Sequence, residues 1–158
     1  MIEFGNEILA DGKLVSTWIA EELEPFPLDN QEMIQLVKVY FDWQAAGKIP
    51  NHKTLQYHED PRIQQMVMGL FEPEHELSLR WNEKLGIKKV VAESSFLHEI
   101  EVSLLYYKLR KIKKMIRQNQ EDMEKVNGED QIQLLHIHKH LKDAERELTK
   151  IIGTVIFK

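Results

Sequence analysis

Cysteine is absent from the 158 residues, and glycine and proline are scarce, with 7 and 5 copies. The absence of cysteine excludes disulfide bonds, thiolate metal sites, cysteine-ligated iron–sulfur clusters and cysteine nucleophiles. The scarcity of glycine and proline argues against glycine-rich phosphate loops and against β folds with many turns. Nearly every segment has helical rather than alternating apolar spacing, which predicts an all-α protein, and no cofactor is expected. Without disulfides, nothing in the composition indicates an oxidising compartment.

Long apolar runs are also missing, and the N-terminus lacks the basic and apolar regions of a signal peptide. We therefore expect a cytoplasmic protein that makes no membrane contact. The net charge of −5 is unevenly distributed: residues 1–79 hold 14 acidic and 5 basic side chains, and residues 80–158 hold 12 and 16. Any polyanion would therefore bind the second half of the chain.

Residues 1–90 have the apolar spacing of several short helices, which we expect to form a compact bundle. The helices are predicted from about residue 14 to 23, 29 to 46, 61 to 70 and 74 to 85, with a loop and one short turn between Lys48 and His58. Asp29 and Asp60 are the expected N-caps of the second and third helices. The expected inner face of the second helix comprises Met33, Ile34, Val37, Phe41 and Ala45. Five aromatic residues are expected in the core rather than in a ligand pocket: Trp18, Tyr40, Phe41, Trp43 and Trp81.

Residues 91–158 form a second expected domain. No glycine or proline occurs between Gly86 and Gly128, and the spacing predicts one helix from Ser94 to about Val126. A second helix is predicted from Glu129 to Ile152, ended by Gly153. Two long helices joined by a short turn form an antiparallel hairpin. The residues of the second helix expected to face the first are Ile132, Leu135, Leu141, Leu148 and Ile152.

Two groups of side chains have the composition of a metal site. His136 and His140 lie four residues apart on a helix, and His58-Glu59-Asp60 combines three ligand types. The first pair lacks a third ligand, so we interpret the three alternating histidines, His138 included, as solvated. Asp60 is already explained as an N-cap. No catalytic sequence motif occurs, so neither metal binding nor catalysis is expected.

A basic run is the strongest charge feature, because no acidic residue occurs from Val102 through Gln120. We expect its cations to form a solvated helix face, compensated in part by Asp143, Glu145 and Glu147 on the facing helix. The alternative is a helix that binds nucleic-acid phosphates, and any such contact through this domain is expected to be only weak or indirect. The run comprises Lys108, Arg110, Lys111, Lys113, Lys114 and Arg117.

Short segments along nearly the whole chain occur in an order known from one protein family. They are Phe4-Gly5-Asn6, Ile19 to Leu23, Leu28-Asp29-Asn30, His58 to Ile63, Glu76 to Trp81, Tyr107 to Ile112 and Gly153 to Ile156. In this order the chain resembles the C-terminal, helicase-binding domain of bacterial DNA primase, in its Bacteroides-type branch. Thr154 departs from the family, which usually has an arginine there, so no ionic contact is carried over to this position.

The resemblance implies a helix bundle, a helical hairpin and a role in DNA replication. The domain would dock on the N-terminal collar of the hexameric replicative helicase through its hairpin and C-terminus. It would have no catalytic activity, since the primer-synthesising parts of a primase, which is a nucleotidyltransferase, would lie outside this chain. Apolar residues predicted off the inner seam, together with the apolar tail, are the expected partner-binding residues: Leu134, Ile137, Ile151, Val155, Ile156 and Phe157.

Overall fold

The structure is a computed structural model that describes residues 1–71 and 94–156. Within these ranges it contains six α-helices and no β-strand, apart from one isolated bridge between Ile8 and Leu14. The all-α prediction is therefore confirmed. The chain divides into two compact units, Met1–Ala92 and Glu93–Lys158. The helix predicted over 74–85, and Trp81 with it, fall outside the described residues.

The first unit contributes four described helices: α1 (Val15–Leu23), α2 (Gln31–Ala45), α3 (His52–Leu55) and α4 (Pro61–Phe71). The second unit contributes two much longer helices, α5 (Ser94–Met123) and α6 (Glu129–Ile156). None of the described helices combines the length and the apolar character that crossing a membrane requires.

Side chains and glycine set the ends of α2 and α4. The N-cap of α2 is Asn30, whose Oδ1 accepts from the backbone N–H groups of Glu32 and Met33 at 2.8 and 3.1 Å. The prediction of Asp29 was therefore wrong by one residue. Gly47 follows the C-terminus of α2 with a φ of +74°, which glycine adopts without the steric cost of a Cβ. The predicted cap of α4 is confirmed, since Asp60 Oδ1 accepts from Arg62 N–H at 2.9 Å.

The core of the first unit lies between α2, α3 and α4. Its buried residues are Leu36 and Tyr40 from α2, Leu55 from α3, and Ile63 and Val67 from α4. The predicted inner face of α2 was wrong for two of its residues, because Ile34 is 39% exposed and Ala45 is exposed. A buried aliphatic side chain contributes roughly 1.5–3 kcal/mol to folding. Burial of these residues therefore stabilises the packing of α2, α3 and α4.

The second unit is a hairpin with the spacing of a coiled coil. Its covered residues recur at alternating intervals of four and three, which keeps one stripe of each helix facing the other. We call these residues the seam. On α5 and the following turn they are Leu105, Leu109, Ile112, Ile116, Asn119, Met123 and Val126. On α6 they are Leu134, His138, Leu141, Glu145, Leu148 and Ile152.

The hairpin corrects two predictions for α6. Ile132 and Leu135 were assigned to the seam, but they are 55% and 54% exposed. Gly153 was expected to end the helix, yet α6 continues to Ile156. Among the described glycines only Gly12, Gly47 and Gly128 have positive φ, so Gly153 remains helical. A glycine inside a helix costs up to about 1 kcal/mol relative to alanine, which a long packed helix tolerates.

Candidate interaction surfaces of the hairpin

One side of α6 carries apolar residues immediately beside the seam. Ile137, Ala144 and Ile151 are spaced by seven residues and therefore point in nearly the same direction from the helix axis. Ile137 is 48% exposed, Ile151 is 45% exposed, and Ala144 is half-buried. Each precedes a seam residue of the same register: His138, Glu145 and Ile152. Apolar side chains of α6 thus border the seam on this side.

Met115 adds an apolar residue from α5 to this side of the hairpin. It precedes the seam residue Ile116 by one position and is 49% exposed. Ile116, like His138, Glu145 and Ile152, lies four residues after the previous seam residue. Because α5 and α6 run in opposite directions, the residues that immediately precede such seam positions lie on the same side of the hairpin on both helices. We call Met115, Ile137, Ala144 and Ile151 the apolar flank.

The predicted partner-binding residues divide into three groups. The structure places Ile137 and Ile151 on the apolar flank, and Leu134 half-buried in the seam. Leu134 therefore does not lie with the other two, which corrects its assignment off the seam. The backbones of Val155 and Ile156 belong to α6, but their side chains lie outside the described residues, as does all of Phe157. Sequence reasoning missed Met115, although the four-and-three spacing of α5 places it beside the seam.

The opposite side of the hairpin is more polar. On α5 the corresponding positions are occupied by Tyr106, Lys113 and Gln120, and on α6 by Leu135, Lys142 and Thr149. Lys142 donates to Glu145 at 3.0 Å and Thr149 Oγ1 donates to the carbonyl of Glu145 at 2.7 Å. Leu135 is thus an exposed apolar residue among mostly polar ones on this side, whereas all three α6 positions of the flank are apolar.

The basic run divides between two environments. Four of its cations are exposed: Arg110, Lys113, Lys114 and Arg117. Lys108 and Lys111 are half-buried, and Lys111 Nζ lies 5.6 Å from the ring centroid of Tyr107. At about 100° per residue, the exposed cations lie roughly 70–170° away from the seam around the axis of α5. They therefore stay outside the seam and are accessible to a ligand.

Two of the three acidic residues of α6 that were expected to compensate the run, Asp143 and Glu145, pair along their own helix instead. Asp143 Oδ1 lies 3.5 Å from Arg146 Nη1, and Glu145 Oε2 lies 3.0 Å from Lys142 Nζ. Both pairs are three residues apart, the spacing at which helical side chains are neighbours. The negative charges of these two acids are thus already balanced within α6.

The histidines of α6 differ from the prediction in one respect. His136 and His140 are exposed, but His138 is half-buried in the seam. Its Nδ1 is shielded and has no hydrogen-bond partner among the described residues. The interpretation of all three as solvated was therefore wrong for His138. In the described ranges, no three His, Asp or Glu side chains are grouped closely enough to hold a metal ion.

The His58-Glu59-Asp60 segment is organised around a turn. The ring of His58 stacks on Trp43 with 5.4 Å between centroids, and its Nδ1 accepts from the backbone N–H of Asp60 at 3.0 Å. Asp60 Oδ2 pairs with Arg62 at 2.9 Å. The hydrogen bond from the Arg62 side chain is the main cause that lowers the pKa of Asp60. These contacts account for His58 and Asp60 as structural residues.

An apolar cavity of about 410 Å³ lies in the first unit. Of the predicted aromatic residues, Tyr40 lines it, but the Tyr40 hydroxyl is shielded from solvent. The cavity therefore offers a ligand mainly apolar contacts from the described residues. Its lining comprises Met1, Ile2, Glu3, Phe4, Met33, Leu36, Val37, Tyr40, Leu70 and Phe71.

The fold and these surfaces define an all-α protein with a unit of short helices and a long helical hairpin. The chain belongs to the family described as "Domain of unknown function (DUF8430)", whose family model matches residues 1–155. The comparison with curated proteins found no match. The comparison with solved structures found none either.

Proposed function

We propose that this chain is a non-catalytic interaction module of a DNA primase, and that it docks on the N-terminal collar of the hexameric replicative helicase. The observation that carries the proposal is the apolar flank, where Ile137 and Ile151 are nearly half exposed on a packed hairpin. The resemblance in sequence supplies the identity of the partner, and the match to the DUF8430 family leaves the function open.

Physical chemistry supports a docking role for the flank. The largest apolar patches on monomeric proteins often mark interaction sites, whereas single exposed apolar residues need no explanation. Ile137, Ala144 and Ile151 repeat along two heptads of one helix, and Met115 lies on the same side of the hairpin. The seam holds both helices in place, so the flank would lose little conformational entropy when a partner covers it.

The tail is the second part of the proposed docking surface. Because α6 continues through Gly153, Val155 lies one helical turn beyond Ile151 in an unbroken helix. We include Val155, Ile156 and Phe157 in the proposed docking surface because all three are apolar. Template binding and primer synthesis would belong to other parts of the parent primase.

A binding experiment with the cognate replicative helicase tests the proposal. The test variant is Ile137→Ala/Ile151→Ala, and the matched control is Ile132→Ala/Leu135→Ala. The control removes two similarly exposed apolar side chains from the same helix, but away from the flank. We expect the flank variant to bind the helicase hexamer at least roughly tenfold more weakly, because an apolar anchor often contributes more than 1 kcal/mol. Isothermal titration calorimetry gives both affinities.

Circular dichroism of both variants first establishes that the hairpin remains folded. Equal affinity of the flank variant and the unmodified protein would refute the flank as the docking site. Failure of the unmodified protein to bind the helicase at all would refute the proposed function itself.

A further inference from the structure

We infer that one exposed face of α5 binds single-stranded nucleic acid. The surface consists of Tyr106, Arg110, Lys113 and Arg117, which we call the basic stripe. It is separate from the apolar flank, so the two surfaces can be tested independently. The inference goes beyond the docking function proposed above.

Helix geometry brings the four side chains of the stripe together. At about 100° per residue, they fall within roughly 60° around the axis of α5. The buried seam residues Leu109, Ile112 and Ile116 are centred roughly 100° away around the same axis. Met115 of the apolar flank lies on the far side of the helix, roughly 170° from the centre of the stripe. A strand of nucleic acid can therefore approach the stripe without entering the seam or covering the flank.

The charge of the stripe is uncompensated within the described residues. Arg110, Lys113 and Arg117 are exposed and make no hydrogen bond or ion pair there. No acidic residue occurs on α5 from Val102 through Gln120. Three cations on one exposed face repel one another, and this repulsion is relieved when phosphates bind and counterions are released.

Tyr106 favours a single strand over a duplex. Tyr106 is 47% exposed and lies one helical turn before Arg110. An exposed aromatic ring beside cations is the arrangement on which unpaired bases stack.

Fluorescence anisotropy with a labelled oligothymidylate of about 16 nucleotides tests the inference on the full chain. The test variant is Arg110→Gln/Lys113→Gln/Arg117→Gln. The control Lys38→Gln/Lys53→Gln/Lys150→Gln removes the same charge from exposed lysines elsewhere. We expect the unmodified protein to bind more weakly as salt rises from about 50 to 200 mM. The test variant should reduce the slope of log affinity against log salt by about 2, and the control should leave it nearly unchanged.

Tyr106→Ala separates stacking from charge. It should weaken binding to oligothymidylate about tenfold, while binding to a duplex of the same length changes little. The same assay on Ile137→Ala/Ile151→Ala should give unmodified affinity for the oligonucleotide, so that a failure of helicase docking does not affect this result.

Three outcomes would overturn the inference. The first is no binding at low salt, and the second is an equal loss of affinity in the test and control variants. The third is binding to single strands and duplexes that is equally tight and insensitive to Tyr106→Ala, which would assign the stripe to non-specific charge alone.

Discussion

The hydroxyl group of Tyr40 lies where a Cβ on Gly5 would stand, and the carbonyl oxygen of Met1 occupies the same space from the other direction. Tyr40 is fully buried, and its hydroxyl has no hydrogen-bond partner in the described structure. Burial raises the pKa of this hydroxyl. The N-terminal segment thus packs closely against α2 at Gly5, where a side chain would meet Tyr40 and Met1.

We expect Gly5→Ala to lower the free energy of unfolding by about 1–3 kcal/mol, the usual cost of overpacking. Tyr40→Phe should be close to neutral, because it removes a hydroxyl without a partner. In the double variant the added methyl group no longer meets a hydroxyl, so its cost should be smaller than the sum of the single costs. Urea denaturation of all four proteins gives this coupling energy, for which contacting residues show about 0.5–3 kcal/mol.

Gly69→Ala is the matched control for that cycle. Gly69 lies in α4 and has nothing within 4 Å of an added Cβ, so the substitution should not destabilise the protein. Strict additivity of Gly5→Ala and Tyr40→Phe would show that Met1, rather than Tyr40, determines the need for glycine.

Replacement of Asn119 by leucine is expected to stabilise the hairpin. Asn119 is 6% exposed in the seam, and its Oδ1 has no hydrogen-bond partner among the described residues. An apolar side chain would remove this buried polar group and raise the free energy of unfolding by about 1 kcal/mol. Since one polar seam residue often fixes register and oligomeric state, sedimentation velocity should also show more self-association. Urea denaturation measures the stability.

The exposed neighbour Gln120 provides the comparison. Gln120→Leu should change the free energy of unfolding by less than about 0.5 kcal/mol, as surface substitutions usually do. A loss of stability in Asn119→Leu would contradict the prediction and show that Asn119 Oδ1 is hydrogen-bonded in solution.

Gly153 and Gly128 should respond in opposite directions to alanine. Gly153 lies within α6 without positive φ, and no described atom lies within 4 Å of an added Cβ. Gly153→Ala should therefore raise the free energy of unfolding by about 0.5–1 kcal/mol. Gly128 has a φ of +79°, so Gly128→Ala should lower it by about 1 kcal/mol. Thermal denaturation distinguishes the two cases. A destabilised Gly153→Ala protein would indicate that the helix ends at Gly153.

Asp60 gives the first unit a pH-dependent contribution to stability. The hydrogen bond and charge of Arg62 lower the pKa of Asp60 from 3.8, so the folded protein favours the ionised carboxylate. The resulting stabilisation is present above pH 3.8 and is lost as the pH falls through the lower, folded-state pKa. Asp60→Asn keeps an oxygen that can cap α4 but removes the ion pair. Its melting temperature should lie below that of the unmodified protein at about pH 7, and the difference should vanish in strong acid.

Glu59→Gln is the control, because it removes an adjacent exposed carboxylate that makes no ion pair in the described structure. Its melting temperature should follow the unmodified protein across the whole pH range. An Asp60→Asn difference that persists unchanged in acid would exclude the ion pair as its cause.

The helix ends could largely be predicted from the sequence where the residue at the end determines it through its own backbone preference. Asp60-Pro61 and Gly47 mark helix ends by their own backbone preferences, and both predictions hold. The cap of α2 could not be fixed in this way, because Asp29 and Asn30 are both good capping residues one position apart. Only the hydrogen bonds to Glu32 and Met33 distinguish them.

The seam could be predicted only in part, because polarity and position conflict on α6. His138 and Glu145 occupy seam positions, whereas the apolar Ile132 and Leu135 lie outside them. A pattern search based on hydrophobicity therefore favours the wrong residues near the turn. The candidate docking site was affected in the same way: Ile137 and Ile151 were identified, but Met115 becomes visible only once the register of α5 is known.

The polar seam residues also have a consequence for how the hairpin opens. Asn119 and His138 lie in the half nearest the Gly128 turn, where the apolar seam residues Met123, Val126 and Leu134 are only half-buried. The half further from the turn holds one polar seam residue, Glu145, and the buried Leu109, Ile112 and Ile152. Partial unfolding exposes the least apolar surface when it begins where the seam is polar. Backbone amides near the turn should therefore exchange with deuterium earlier than those around Leu109 and Leu148. Local unfolding of the hairpin would thus begin at the Gly128 turn, and the opposite end of the hairpin would unfold last.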